Sequence, residues 1–237
     1  MTLRPDEKFV KRCLVKTLKS SKAYEGENPP DIYLELNGEK IAIEITRLSP
    51  VSFDRKGIIQ NRKSQDYYGL NLCDDLDLSL RNKILPDIDI LLTLYVPVEQ
   101  GRKFKRELRA FVERTICGNV KIGDKQEIEI CGSKVKISII PNRDYSDKKI
   151  VGIIINKNAN PHIFSNAQII LADRIQDKNK KCKKIIEKGG KVWLALFNDY
   201  WLADHETYAN ALSTIDMAHG FDRIYVIMDN GEVSQIY

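Results

Sequence analysis

A mixed α/β fold, with a central mixed β-sheet flanked by helices, is predicted by three observations. Two pairs of alternating apolar runs read as hairpins, several continuous apolar runs read as buried strands, and stretches of helical periodicity separate them. In chain order, residues 6–20 form a helix with Phe9, Val10, Cys13, Leu14 and Leu18 on one face. After Pro29-Pro30 come short strands at 32–36 and 40–46 around Asn37-Gly38. Residues 48–72 show little periodicity and are expected to be loop with some helix. A buried strand follows at 88–96, then a helix at 102–117 that Gly118 ends. Residues 127–131 and 134–140 alternate around Gly132-Ser133 as a second hairpin, and 150–155 is another buried strand. A long helix at 166–188 closes at Gly189-Gly190. Then come a strand at 192–197, a helix at 204–217 with Asp204 as N-cap, and strands at 223–228 and 232–237. No repeat or low-complexity linker interrupts this order. One domain is expected, with residues around 48–142 as an inserted stretch.

Composition narrows the function classes. The 237 residues are 43% hydrophobic and 30% charged, the balance of a soluble globular chain. No apolar run approaches the ~18–20 residues of a membrane span. Arg4, Asp6, Glu7 and Lys8 follow the start where a signal peptide would be apolar, so a cytoplasmic location is expected. Five scattered cysteines without a CxxC pair argue against a disulfide framework or a zinc cluster. The three histidines lack ligand-like spacing. A net charge of +5 permits nucleic-acid binding without demanding it. Two basic stretches, Arg102 to Arg109 and Lys178 to Lys184, would suit a phosphate track, although most such charge merely solvates a helix face. Tyr67-Tyr68 and Tyr200-Trp201 are the aromatic pairs that could stack on bases.

The chemistry concentrates at residues 29–46. Asn-Gly between alternating apolar runs specifies a two-residue type I′ hairpin. That loop fixes the register: Leu36 faces Glu39, Leu34 faces Ile41, Ile32 faces Ile43, and Asp31 falls opposite Glu44. Two carboxylates about 5 Å apart across a ladder repel one another, so they need a cation or a raised pKa. A divalent metal, held by one or two hard carboxylates and by substrate phosphate oxygens, supplies that cation. The plain alternative makes Asp31 a strand-start residue and puts Glu44 on the solvated face of an edge hairpin.

Pro30-Asp31 opening one strand, and Glu44-x-Thr46 ending the next, resemble the PD-(D/E)XK nuclease superfamily. The element order resembles its restriction-endonuclease-like αβββαβ core. The resemblance implies a Mg2+-dependent (or Mn2+-dependent) nuclease, a preference for DNA over RNA, and metal binding by Asp31 and Glu44. It also implies a glutamate from the first helix at the metal site. Glu7 is the matching candidate, with Glu25 and Glu27 as loop-borne rivals. A homodimer is compatible with the resemblance, although no stretch of sequence marks a dimer surface. Thr46 occupies the motif's lysine position and carries no charge. In some branches the later core helix supplies the lysine. Here Leu171, Ile175, Cys182, Ile185 and Ile186 make one apolar stripe at ~100° per residue with Lys178 in its middle. A lysine so placed must snorkel or meet a negative partner. Lys181 and Asn179 flank the stripe less centrally. If Thr46 marks lost chemistry, the same fold would serve instead as an inactive module that binds nucleic acid or a protein.

Overall fold

The structure, a computed structural model, describes residues 2–20, 22–53, 57–143 and 147–237. The chain runs α1 (Pro5–Leu18), β1 (Lys22–Glu25), β2 (Ile32–Leu36), β3 (Glu39–Leu48), β4 (Val51–Phe53) and β5 (Ile59–Asn61). It continues with α2 (Arg62–Leu80), β6 (Ile88–Val96), α3 (Gly101–Cys117), β7 (Lys125–Ile130), β8 (Ser133–Pro141) and β9 (Ile150–Asn156). The last elements are α4 (Ile163–Glu187), β10 (Val192–Asn198), α5 (His205–Ser213), β11 (Arg223–Ile227) and β12 (Val233–Gln235). This is the mixed α/β class, with mixed sheets flanked by helices. No helix among the described residues is long and apolar enough to cross a membrane.

Where one domain was expected, the chain divides into two compact units, Met1–Val51 with Asn160–Tyr237, and Ser52–Ala159. The inserted unit therefore extends past the expected limit of 142, because β9 pairs in parallel with β6 and completes that unit's own sheet. Its sheet order is β7-β8-β6-β9. Its core gathers Leu72, Leu76 and Leu80 of α2 with Phe104, Leu108 and Val112 of α3 over the apolar face of β6. The turn between β7 and β8 lies one residue earlier than expected. Cys131 and Gly132 take φ of 48° and 72°, and Ser133 already pairs with Ile130. Asp89, 0% exposed, is held by Arg143 at 2.9 Å and Lys149 at 3.4 Å, a structural role.

The other unit carries a sheet in the order β1-β2-β3-β10-β11-β12. β1, β2 and β3 form an antiparallel meander; β10 then lies parallel to β3, and β11 parallel to β10. Strand alternation sorts the side chains onto two faces. Ile41, Ile43, Ile45, Trp193, Ala195, Tyr225 and Ile227 join Val10 and Leu14 of α1 in one core. The opposite face takes Ala42, Glu44 and Thr46, and α4 packs there on β3 and β10. The hairpin register is the expected one, from Leu36 opposite Glu39 to Ile32 opposite Ile43. Asn37 and Gly38 take φ of 51° and 80°, the paired left-handed residues that a type I′ turn demands. The plain alternative is overturned. The hairpin is no solvated edge, since β3 is flanked by β2 and β10 and Glu44 is 0% exposed.

Candidate functional site

The site is assembled where the start of β2, the middle of β3, and α4 come together. Asp31 sits immediately before β2, one step beyond the last ladder pair, and is buried. Its Oδ2 accepts the Ile45 N–H at 2.7 Å, which ties the Asp31 carboxyl to β3 beside Glu44. The loop before it is closely folded: Gly26 N–H donates to Asp31 O at 2.9 Å, and Asn28 N–H to Pro30 O at 3.0 Å. A Cβ on Gly26 would lie 2.1 Å from the Pro30 carbonyl oxygen, so only glycine allows this approach.

Glu44 is the electrostatic centre. Its Oε1 accepts from Lys178 Nζ at 2.8 Å and from Lys181 Nζ at 2.6 Å. The two lysines are one turn apart on the α4 face that meets the sheet, between the fully buried Ile175 and Cys182. A buried carboxylate is tolerable only when paired in this way. Glu44 Oε2 is buried and has no hydrogen-bond partner. Burial works against charge on Lys181, but the Glu44 hydrogen bond and charge together outweigh it and raise the ammonium pKa. For Asp31, burial first and then the Glu44 charge push the carboxyl up to about 6.

Lys178 thus reaches the acid pair, as the apolar stripe predicted. Lys181 does so too, and here the sequence reading fell short. Judged by its angular distance from the stripe it seemed peripheral, yet its i+3 spacing from Lys178 puts a second flexible ammonium within reach of the same acid. Glu7 is buried in the first turn of α1 and lines the same cleft as Asp31, Lys178 and Lys181, about 220 Å³ in volume. Its carboxylate, however, accepts Arg4 N–H at 2.7 Å and Arg4 Nε–H at 2.8 Å. Of the rivals, Glu27 accepts the Tyr33 hydroxyl at 2.7 Å and Glu25 lines a different groove. No group of three or more acid, histidine or cysteine side chains among the described residues is arranged to hold a metal. Of the acids that the sequence offers to a divalent cation, Asp31 and Glu44 are set side by side by the β2–β3 ladder, whereas Glu7 is held by Arg4. The unpartnered Glu44 Oε2 is the observation that suits one, and Mg2+ commonly binds through one or two carboxylates with water and phosphate completing its shell.

The other sequence candidates fall elsewhere. Tyr200 is buried and Trp201 is 83% exposed. On α3, Lys103, Lys105 and Arg109 are matched by Glu107, Asp75 and Glu113, so that basic stretch is largely neutralised. Asp222 accepts the Val192 N–H at 2.7 Å and tethers the start of β10, a structural role.

The Asp31 environment makes pH dependence a direct test. The folded protein binds this proton more tightly than the unfolded chain does, since the carboxyl rises from 3.8 to about 6. The Asp31 contribution to stability is therefore expected to fall as pH rises from about 4 to about 6 and to level off above. Asp31→Asn keeps an acceptor for Ile45 N–H but never ionises. In EDTA it should flatten that slope and exceed the wild type above pH 6 by on the order of 2–3 kcal/mol. Urea unfolding across pH 4–8 checks this, and parallel wild-type and variant curves would refute it.

No family model, curated protein or solved structure matches the chain. The functional reading therefore stands on the residues and their geometry.

Proposed function

We propose that the chain is a metal-dependent nuclease of the PD-(D/E)XK, restriction-endonuclease-like kind, hydrolysing phosphodiester bonds in DNA. The observation that carries it is the convergence of two lysines from α4 on a fully buried glutamate of β3, beside Asp31. Support also comes from the order α1, β1–β2–β3, α4, β10 in this unit, with β10 parallel to β3, which is compatible with an αβββαβ arrangement. The preference for DNA over RNA rests on the resemblance alone.

In this reading Asp31 and Glu44 would hold Mg2+ or Mn2+. The chemistry such an ion would supply is Lewis-acid polarisation of a phosphoryl oxygen and activation of water. The chain's own groups do the rest. Lys178 and Lys181 stand where negative charge grows on the attacked phosphate, and fixed cations in a partly dry cleft stabilise that charge more than solvent would. Glu44 keeps both ammonium groups aimed at that point. Thr46 is buried two residues further along β3 and supplies no charge, so the motif lysine's task passes to α4. Glu7 fixes Arg4 at the cleft wall.

A second reading, an inactive nuclease-fold module that binds nucleic acid or a protein, is favoured by one observation: two ammonium groups already neutralise Glu44 through Oε1. Calorimetric titration with Mn2+ and cleavage of a labelled duplex in Mg2+, Mn2+ or EDTA separate the two. Nuclease function requires stoichiometric Mn2+ uptake and cleavage that EDTA stops. Absence of both in the folded protein would establish the inactive module instead.

A further inference from the structure

Cations placed to hold a flanking polymer also lie on α1, outside the two basic stretches that the sequence highlights. Lys8, Lys11, Arg12 and Lys16 follow one another along the helix, and among the described residues none lies within ion-pair distance of a carboxylate. The helix's own acids are already engaged, Asp6 by Arg47 at 2.6 Å and Glu7 by Arg4 at 2.7 Å. These four cations and Lys22 of the edge strand β1 rim a groove of about 890 Å³ floored by Leu3, Val15 and Ala23, with Glu25 as its one acid. Leu3 also lines the Asp31–Lys178 cleft, so groove and cleft adjoin.

We propose that this groove is the track for the DNA backbone leading to the cleft, an inference that rests on the nuclease reading. The charge is complementary and the spacing suits it. From Lys8 to Lys16 the helix rises about 12 Å at 1.5 Å per residue, the span of three to four phosphates of one strand measured along the duplex axis at about 3.4 Å each. An anionic membrane is the poorer match, because α1 exposes no large apolar side chain to enter it. Phosphate contacts of this kind position the polymer without reading its sequence.

The test is binding of a labelled 20-base-pair duplex in EDTA, where no cleavage intervenes, measured by anisotropy across a salt series. Four engaged cations give a slope of log K against log salt of about −3.6. The triple variant Lys8→Glu, Lys11→Glu, Lys16→Glu should weaken binding on the order of a hundredfold or more at 0.1 M salt and flatten the slope by about 2.7. The neutral set Lys8→Gln, Lys11→Gln, Lys16→Gln should give a smaller loss in the same direction, and both sets should keep the wild-type melting curve. A control reversal on α3, Arg102→Glu, Lys103→Glu, Arg106→Glu, changes net charge equally and should leave affinity within threefold. Equal loss in the control, unchanged binding in the α1 variants, or equally good competition by polyglutamate would each overturn the proposal. The two readings fail separately. Duplex cleavage with unaltered binding by the α1 variants removes the track and leaves the nuclease; groove-dependent binding without metal-dependent cleavage removes the nuclease and leaves the track.

Discussion

Glu44→Gln is expected to reduce Mg2+-dependent cleavage by three orders of magnitude or more, about 4 kcal/mol of transition-state stabilisation. The amide is nearly isosteric with the carboxylate, so packing between β3 and α4 should persist. What disappears is the charge that a divalent ion requires and that aims Lys178 and Lys181, both within 2.8 Å of Oε1. Two functions thus vanish in one substitution, which is why the expected loss exceeds that of any other single change at the site. Single-turnover cleavage of a labelled duplex, with far-UV circular dichroism and melting on the same preparation, is the measurement. A folded Glu44→Gln protein that cleaves within tenfold of the wild type would remove the nuclease assignment altogether.

The second large effect is on stability. Replacing both lysines, as Lys178→Met with Lys181→Met, strands a carboxylate that is 0% exposed, and removing the partners of a buried charge costs about 3–5 kcal/mol. Either single replacement should cost far less, since the remaining ammonium still neutralises Glu44, so the losses should be strongly non-additive. Adding Glu44→Met to the double variant removes the stranded charge and should recover most of the lost stability. Urea midpoints for the five proteins close the cycle. Additive single losses, or a double variant within about 1 kcal/mol of the wild type, would mean that the three groups do not act as one buried unit.

Much of the site was legible because its geometry is local. A two-residue Asn37-Gly38 turn leaves no freedom in the register, so the positions of Asp31 and Glu44 followed from counting outward. Lys178 was legible for a different reason: a cation inside an apolar stripe demands a partner. Lys181 was obscured because angular position on a helix says where a Cβ points, whereas four methylenes let the ammonium travel several ångströms from that direction. Helix α2 was missed over much of its length. Its buried positions Leu72, Cys73, Leu76 and Leu80 cluster in its second half, so the stretch up to Leu72 shows no apolar face. Strand β1 was invisible for a related reason, since an edge strand with the pattern Lys-Ala-Tyr-Glu is mostly exposed and has no face to bury. The four cations of α1 were overlooked because they are spaced along a helix rather than crowded into a run.

The acids and the lysines are far apart along the chain: Glu44 and Lys178 are separated by 134 positions, with the entire Ser52–Ala159 unit between them. A hairpin closes in about 1–10 μs once its own residues exist. Joining it to α4 must wait for a much longer loop, whose closure entropy exceeds that of a ten-residue loop by about 2 kcal/mol. During synthesis, the acidic half is therefore complete more than a hundred residues before its cationic half leaves the ribosome. A truncated chain that stops within the inserted unit carries the acids of this cluster and neither of the lysines that neutralise Glu44.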